Sequence, residues 1–395
     1  MPRSVLAAFV AGLCLYGGTA LLAGAPQSST SYYDLLAASF LDGRLDLAHP
    51  PSTEDLTPHA GRWYVAFPPV PALLLVPAVA LVGAGGRLTV WFSVVMGALN
   101  VALVCGLLLA LSERAEIGLP RSAVPWLTLL FGAGTVHWYL AADGAVWFVA
   151  QVCAVTFSVL AAWLAVLRRP GWLVGLALAG AVGCRVHLVL LFPMLVALAI
   201  PDAPRAHVRL AAGARSAAGL AIPLALALCA LAAYNEARFD DPFDLGYAQM
   251  RVDEDIAARI RAKGYFGLGH VPRNAVTALA WPPRLEHGWP EPDSTGMGIL
   301  LTTPALLLCL RAGIRGTAVR GAWLALAALL VPILTYHNTG ARQFGYRFLL
   351  DVIAPALVLL AAGLRGRVGW PLRLMVLAGV LVNAWGVAWW YGLGP

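Results

Sequence analysis

Acids and cations that could do proton-transfer and anion chemistry stand in a few short stretches of this sequence. Asp34 lies in SSTSYYDLLAASFLDGRLDL, and Asp143 lies in the turn LAADGAV, with His137 and Trp138 a turn and a half earlier. Arg185 lies in GCRVHL between two short apolar runs, and RQFGYRFLLD supplies Arg342, Gln343, Tyr346, Arg347 and Asp351. A positioned carboxylate can take a proton from an attacking hydroxyl. A guanidinium can hold an oxyanion through charge-assisted hydrogen bonds. A cation between apolar runs is costly unless it faces a polar cavity or an anion, or snorkels to the interface. Each residue also has a plain structural reading. Asp34 suits a solvated helix face, Asp143-Gly144 an ordinary tight turn, and His137 a packed position near a helix end. Arg347 and Asp351 suit a self-neutralising i,i+4 pair, while Asp42, Arg44 and Asp46 suit a turn.

The elements that must position these groups are membrane spans. The chain has 395 residues, 60% of them hydrophobic and 12% charged, with a mean hydropathy of +0.76. That is an all-α polytopic membrane protein rather than a soluble enzyme. The net charge of +7 is scattered between apolar runs, so the arginines read as topology signals and not as a nucleic-acid surface. The six cysteines fall in or beside apolar runs without metal-ligand spacing. The N-terminal run Val5 to Ala23 exceeds a signal-peptide core and reads as an uncleaved first span.

Spans are expected near residues 4–24, 88–111, 124–141, 146–167, 171–184, 187–200, 217–234, 297–310, 321–336, 347–363 and 373–391. The 14-residue run Val70 to Gly83 carries Pro71 and Pro77 and suits an interfacial helix. With that helix not crossing and the N-terminus inside, the inner loops hold 14 cations and three acids, and the outer side 13 cations and 17 acids. The resulting +11 against −4 satisfies the positive-inside rule and sets the count at 11 spans. Two long outer regions follow, 25–87 and 235–296, where function is expected. In the first, a helix would carry Tyr33, Leu36, Ala37 and Phe40 on one face and offer Asp34 and Asp42 to water. In the second, Asp241-Pro242 marks a turn, and Val252 to Lys263 reads as a mixed-charge surface helix.

FLDGRLDL with GRWYVAFPPVPALLL, GTVHWYLAADGAVWF, YNEARFDDPFDLGY and ARQFGYRFLLDVIAP together resemble a bacterial subgroup of the GT-C glycosyltransferases. Within that fold the chain is similar to glycosyltransferase family 39 and the protein O-mannosyltransferase-like group. The resemblance implies a single GT-C-like domain over 1–395, with two juxtamembrane helices in the first outer loop. It implies transfer of a sugar from a polyprenyl-phosphate donor to a glycan, lipid or protein acceptor on the outer face of the bacterial cytoplasmic membrane. Members carry an Asp-Glu pair two residues before the aromatic start of the first juxtamembrane helix; Ser29-Thr30 stands there in this chain, and Asp34 is the nearest acid. Asp34 is then the expected base and Asp143 a second acid on the same cavity. Arg185 would lie near the lipid phosphate, Arg342 or Arg347 would contact phosphate or sugar hydroxyls, and Gln343, Tyr346 and His137 would line the pocket. There is no cofactor motif, and a divalent metal stays open. No Walker-type loop, zinc spacing or dinucleotide fingerprint is present, which disfavours a nucleotide-driven pump or a soluble nucleotide-sugar donor. A transporter or flippase, and a non-catalytic scaffold of the same fold, are the competing readings.

Overall fold

The first helix, α1 (Arg3–Leu22), ends against an outer segment that folds on itself. The structure, a computed structural model, describes residues 2–25, 28–85, 87–201, 206–286, 288–340 and 342–393. Region 25–87 forms α2 (Tyr33–Leu41), an antiparallel hairpin of β1 (Leu56–His59) and β2 (Arg62–Val65), and α3 (Val70–Val82). The bundle continues through α4 (Leu88–Ser112), α5 (Val124–Ala133), α6 (His137–Ala141), α7 (Val146–Val166), α8 (Gly171–Val182), α9 (Phe192–Ala199) and α10 (Ala206–Phe239). The second long region forms α11 (Glu254–Lys263), α12 (Val271–Ala280) and a hairpin of β3 (Arg284–Glu286) with β4 (Trp289–Glu291). The chain closes with α13 (Ile299–Thr302), α14 (Thr317–Thr335), α15 (Ile353–Gly363) and α16 (Trp370–Tyr391).

The protein is a helical membrane protein, with 68% of the chain helical and almost no sheet. Among the described residues, six helices are long and apolar enough to cross a membrane: α1, α4, α7, α10, α14 and α16. The other expected spans take a different form. Run 124–141 breaks into α5 and α6, and the runs at 187–200, 297–310 and 347–363 contain 3₁₀ segments, Val186–Leu191, Pro304–Arg311 and Arg347–Val352. A 3₁₀ segment rises about 2.0 Å per residue against about 1.5 Å in an α-helix, so it covers more depth with fewer residues. Helix α10 has 34 residues where the run 217–234 was expected.

Helices α1 and α4 are antiparallel neighbours. A Cβ on Gly12 would meet the Ala98 Cα at 3.1 Å, and one on Gly17 would meet Val94 at 3.7 Å, so contacts ascend one helix and descend the other. Helix α4 therefore starts at the end where α1 finishes, and region 25–87 leaves and rejoins the bundle on one side. The same end holds the Asp143 turn, whose neighbours Gly144 and Val146 bond to Ser31 and Thr30 (Ser31 Oγ to Gly144 O, 2.8 Å; Val146 N to Thr30 O, 3.0 Å). It also holds the last turn of α16, where Tyr391 donates to Tyr139 O at 2.6 Å. Helix α1 thus starts at one end of the bundle and α16 finishes at the other.

The opposite end is rich in arginine and tied together by Arg114, which donates to Val166 O and Leu198 O, both at 3.3 Å, and to Glu116 at 2.8 Å. Arg365 donates to Arg311 O there at 3.0 Å. Asp202 and Arg205, counted among the inner-loop charges, lie outside the described residues.

Two local expectations need correction. Helix α2 does not float with Asp34 in water: Tyr33, Asp34, Leu36, Ala37 and Ser39 are all buried, because α3 folds back over α2. Asp42, just beyond the helix, remains exposed. The second-loop helix starts at Glu254 rather than Val252, with Asp253 at its N-cap. The hairpins were not expected; β1–β2 turns through Ala60 and Gly61, both with positive φ.

Candidate active site at the loop end of the bundle

Arg185 sits where α8 stops and a 3₁₀ segment begins, in extended backbone (φ −151°, ψ 106°). Twelve residues of α8 rise about 18 Å, less than the roughly 30 Å hydrocarbon core, so the break falls inside the bundle rather than beyond it. The guanidinium pairs with Asp351 at 2.9 Å, and His187 Nε2 lies 3.1 Å from the same carboxylate oxygen. Its other face lies over the Phe348 ring, 5.4 Å from the centroid.

Arg347 also lies over that ring, 4.9 Å from the centroid, and donates to Gln151 Oε1 at 3.0 Å and to Gly340 O at 3.1 Å. Gln151 returns a bond to Arg347 O at 3.1 Å. The expected Arg347–Asp351 pair is therefore replaced by an Arg185–Asp351 pair. The reason is local: residues 347–352 are 3₁₀, where four residues turn about 120° off the starting face instead of about 40°.

Several buried polar atoms here have no protein partner: Arg185 Nε, Asp351 Oδ1 and the Tyr346 hydroxyl. Buried polar groups are normally satisfied, so these three atoms have hydrogen-bonding capacity left over.

Gln343 holds the segment rather than lining a pocket. Its amide donates to Thr295 O and Thr339 O, both at 2.8 Å, and its carbonyl accepts from Arg347 N at 3.1 Å. Arg342, at φ 55°, is exposed and stands 3.8 Å from Glu54.

That contact leads to an acid the sequence reading passed over. Asp55 lies beside Glu54 at φ 58°, a left-handed conformation that Asp tolerates better than most residues. Burial raises its pKa to about 6, with Glu54 and Asp253 adding to the rise and Arg347 and Arg342 opposing it. Backbone bonds between Asp55 and Arg251 (2.8 Å) and between Arg251 and Leu56 (2.9 Å) join the two long loops at this point. Tyr247, from the second loop, feels Arg185 and Asp55 together; burial raises its pKa.

The other expected residues make no direct bond to the arginines among the described residues, although Tyr139 feels both Arg347 and Asp143. Asp34 is fully buried; its Oδ2 accepts from Gly85 N at 2.7 Å and its Oδ1 has no partner, and burial raises its pKa. Asp143 accepts from Ala145 N at 2.8 Å and faces Trp390 Nε1 at 3.5 Å, with burial raising its pKa to about 6. His137 is a packed histidine. Asn100 Nδ2 lies 3.1 Å from its Nε2 and Tyr16 Oη lies 3.1 Å from its Nδ1, while the Tyr16 hydroxyl donates to Gly132 O. The Nδ1-protonated tautomer satisfies every group in that network.

Missed by the sequence reading were Asp55, Gln151, His187, Tyr247 and Phe348. Gln151 had a signal, a lone amide in an apolar span; Asp55 had none, since its partners come from distant segments. An apolar cavity of about 530 Å³ between α1, α4 and α5, lined by Ala8, Gly12, Cys105 and Thr128, carries none of this chemistry. Among the described residues no group of three or more His, Cys, Asp or Glu side chains is placed to hold a metal. No family model, curated protein or solved structure matches the chain.

Proposed function

We propose that this protein is a membrane glycosyltransferase with a GT-C-like bundle of about 11 spans. In this reading it moves a sugar from a polyprenyl-phosphate donor to a cell-envelope acceptor on the outer face of a bacterial cytoplasmic membrane. The observation that carries the proposal is the pair of arginines, Arg185 and Arg347, both against the Phe348 ring, with unpartnered polar atoms beside them and Asp55 within the field of Arg347. An acceptor oxygen attacks the sugar C1, its proton passes to a carboxylate, and the C1–O bond breaks with its electron pair leaving on the lipid phosphate. Arginines stabilise that leaving anion, and a carboxylate with a pKa near working pH suits the base. Asp55 fits the base better than Asp34, because it shares the electrostatic environment of Arg347 and Arg342.

The test is sugar transfer from a synthetic polyprenyl-phosphate sugar to native envelope acceptors, using purified protein in lipid. Asp55→Asn should lower the rate by about 10²- to 10⁴-fold. Arg185→Ala should weaken donor binding, and Arg185→Lys should be milder because it keeps Asp351 paired. If Asp34→Asn abolishes transfer while Asp55→Asn leaves it intact, the base belongs to α2. Absence of transfer with every donor sugar tried would remove the enzymatic reading.

A carrier is the second reading, favoured by one feature: the Arg185–Asp351–His187 cluster at the meeting of two short helices, as in discontinuous carrier helices. It requires solute or lipid movement in proteoliposomes without any bond being broken.

A further inference from the structure

The apolar cavity between α1, α4 and α5 opens on the flank of the bundle, toward the end where α1 starts and away from the candidate active site. Its volume is about 530 Å³, within the range of ligand pockets. Ser4 of α1 and Arg121, just before α5, mark its outer end, and Leu15 and Gly132 mark its inner end. Helices α1 and α5 are thus parallel walls, and Leu109, Cys105 and Val101 of α4 run the other way along the floor. The gap between the walls closes where the Tyr16 hydroxyl donates to Gly132 O at 2.8 Å. Small side chains on α1 keep the rest open: Ala7 and Ala11 line the groove and are themselves exposed.

These dimensions suit one kind of occupant. The rise of α1 from Ser4 to Leu15 is about 16 Å, close to half of the roughly 30 Å hydrocarbon core. The groove is therefore about one leaflet deep and blind at its inner end. A transmembrane helix, roughly 10 Å across with its side chains, would have to continue past that end. A flexible hydrocarbon chain enters and stops. It also restores dispersion contacts that an empty groove would forfeit along its whole lining.

The mouth selects a head group. Arg121 is the one charged side chain among the described residues that line the groove, and its Nε donates to Glu113 Oε1 at 3.1 Å. Both side chains are more than half exposed. An exposed pair of this kind is weakly held, so each partner is free to turn to a ligand. Basic pockets at helix ends take anionic lipids. Here an acid stands beside the cation, and a head group carrying both a phosphate and an ammonium complements the two.

We infer that this groove is a binding site for a phosphoethanolamine-type phospholipid from the leaflet where α1 starts. One acyl chain lies between α1 and α5, the phosphate meets Arg121 and the ammonium meets Glu113. The site is independent of the sugar-transfer reading and stands or falls without it.

The test uses the full chain in nanodiscs holding equal amounts of phosphatidylethanolamine and phosphatidylglycerol, with native mass spectrometry of the lipid retained after release into mild detergent. Wild type should retain phosphatidylethanolamine several-fold over phosphatidylglycerol. Ala11→Trp fills the groove from its exposed wall and should lower the retained lipid at least tenfold, with Ala11→Leu intermediate. Val10→Trp adds the same ring on the exposed side of α1 outside the groove and should leave retention unchanged. Arg121→Ala should weaken retention of both lipids, and Glu113→Gln should abolish the preference between them. Unchanged retention in Ala11→Trp, or an equal loss in Val10→Trp, would overturn the groove as the site. Equal retention of the two lipids by wild type, or a preference for phosphatidylglycerol, would overturn the head group assigned to it.

Discussion

Asp143 shows how burial converts an ordinary turn acid into a titrating group. Asp-Gly is enough to form the turn, but Trp390, Tyr391 and Tyr139 then close over the carboxylate. Its folded pKa rises to about 6, so between the ordinary carboxylate range and pH 6 the folded state binds more protons than the unfolded one. Stability from this residue therefore falls as pH rises through about 4 to 6, and is flat above. Asp143→Asn keeps the oxygen that accepts from Ala145 N and removes the titration. Melting temperatures in detergent should show the variant gaining on wild type between pH 4 and pH 7. A constant difference across that range would mean that the Asp143 carboxylate is hydrated.

At the scale of elements, α8 decides where Arg185 lies, and α8 is set by its contact with α10. Gly171 faces Gly219, and a Cβ on Gly175 would lie 2.6 Å from Leu220 O, so the two backbones touch. Small residues at such crossings let helices approach closely in a membrane. Gly175→Val should push α8 off α10, costing about 1–3 kcal/mol or more in overpacking, and should displace Arg185 from Asp351. A melting temperature lowered by several degrees, with weaker donor-lipid binding, is the expected outcome. Gly18→Ala is the control: a Cβ there meets nothing within 4 Å, so neither quantity should move.

For the whole molecule, the antiparallel fit of α1 on α4 and the seating of the last turn of α16 beside the Asp143 turn place the start of α1 and the end of α16 at opposite ends of the bundle. Arginine-rich connections gather at the end where α1 starts. Reporter fusions before Arg3 and after Trp390 should therefore report opposite sides of the membrane, with the N-terminal one cytoplasmic. Fusions reporting the same side would require α3 to cross, against its 13-residue length and its fold-back onto α2.

Hydropathy, loop length and the sidedness of charge are sums over local composition, so the membrane class, the two long loops and the arginine-bearing end were legible in the chain alone. It also marked Arg185, whose charge between apolar runs demands a partner in any fold. Partner identity was another matter. Asp351 could be assigned to Arg347 by α-helical spacing alone, and only the 3₁₀ winding of 347–352 turned it to Arg185. Asp34 looked solvated on a helical wheel because a wheel does not show α3 folding over α2. Asp55 owes its raised pKa first to burial, with Glu54 next to it and the remote Asp253 adding to the rise and the remote Arg347 and Arg342 opposing it. Such convergence depends on distances between remote segments, which no local pattern encodes and which only the packed bundle supplies.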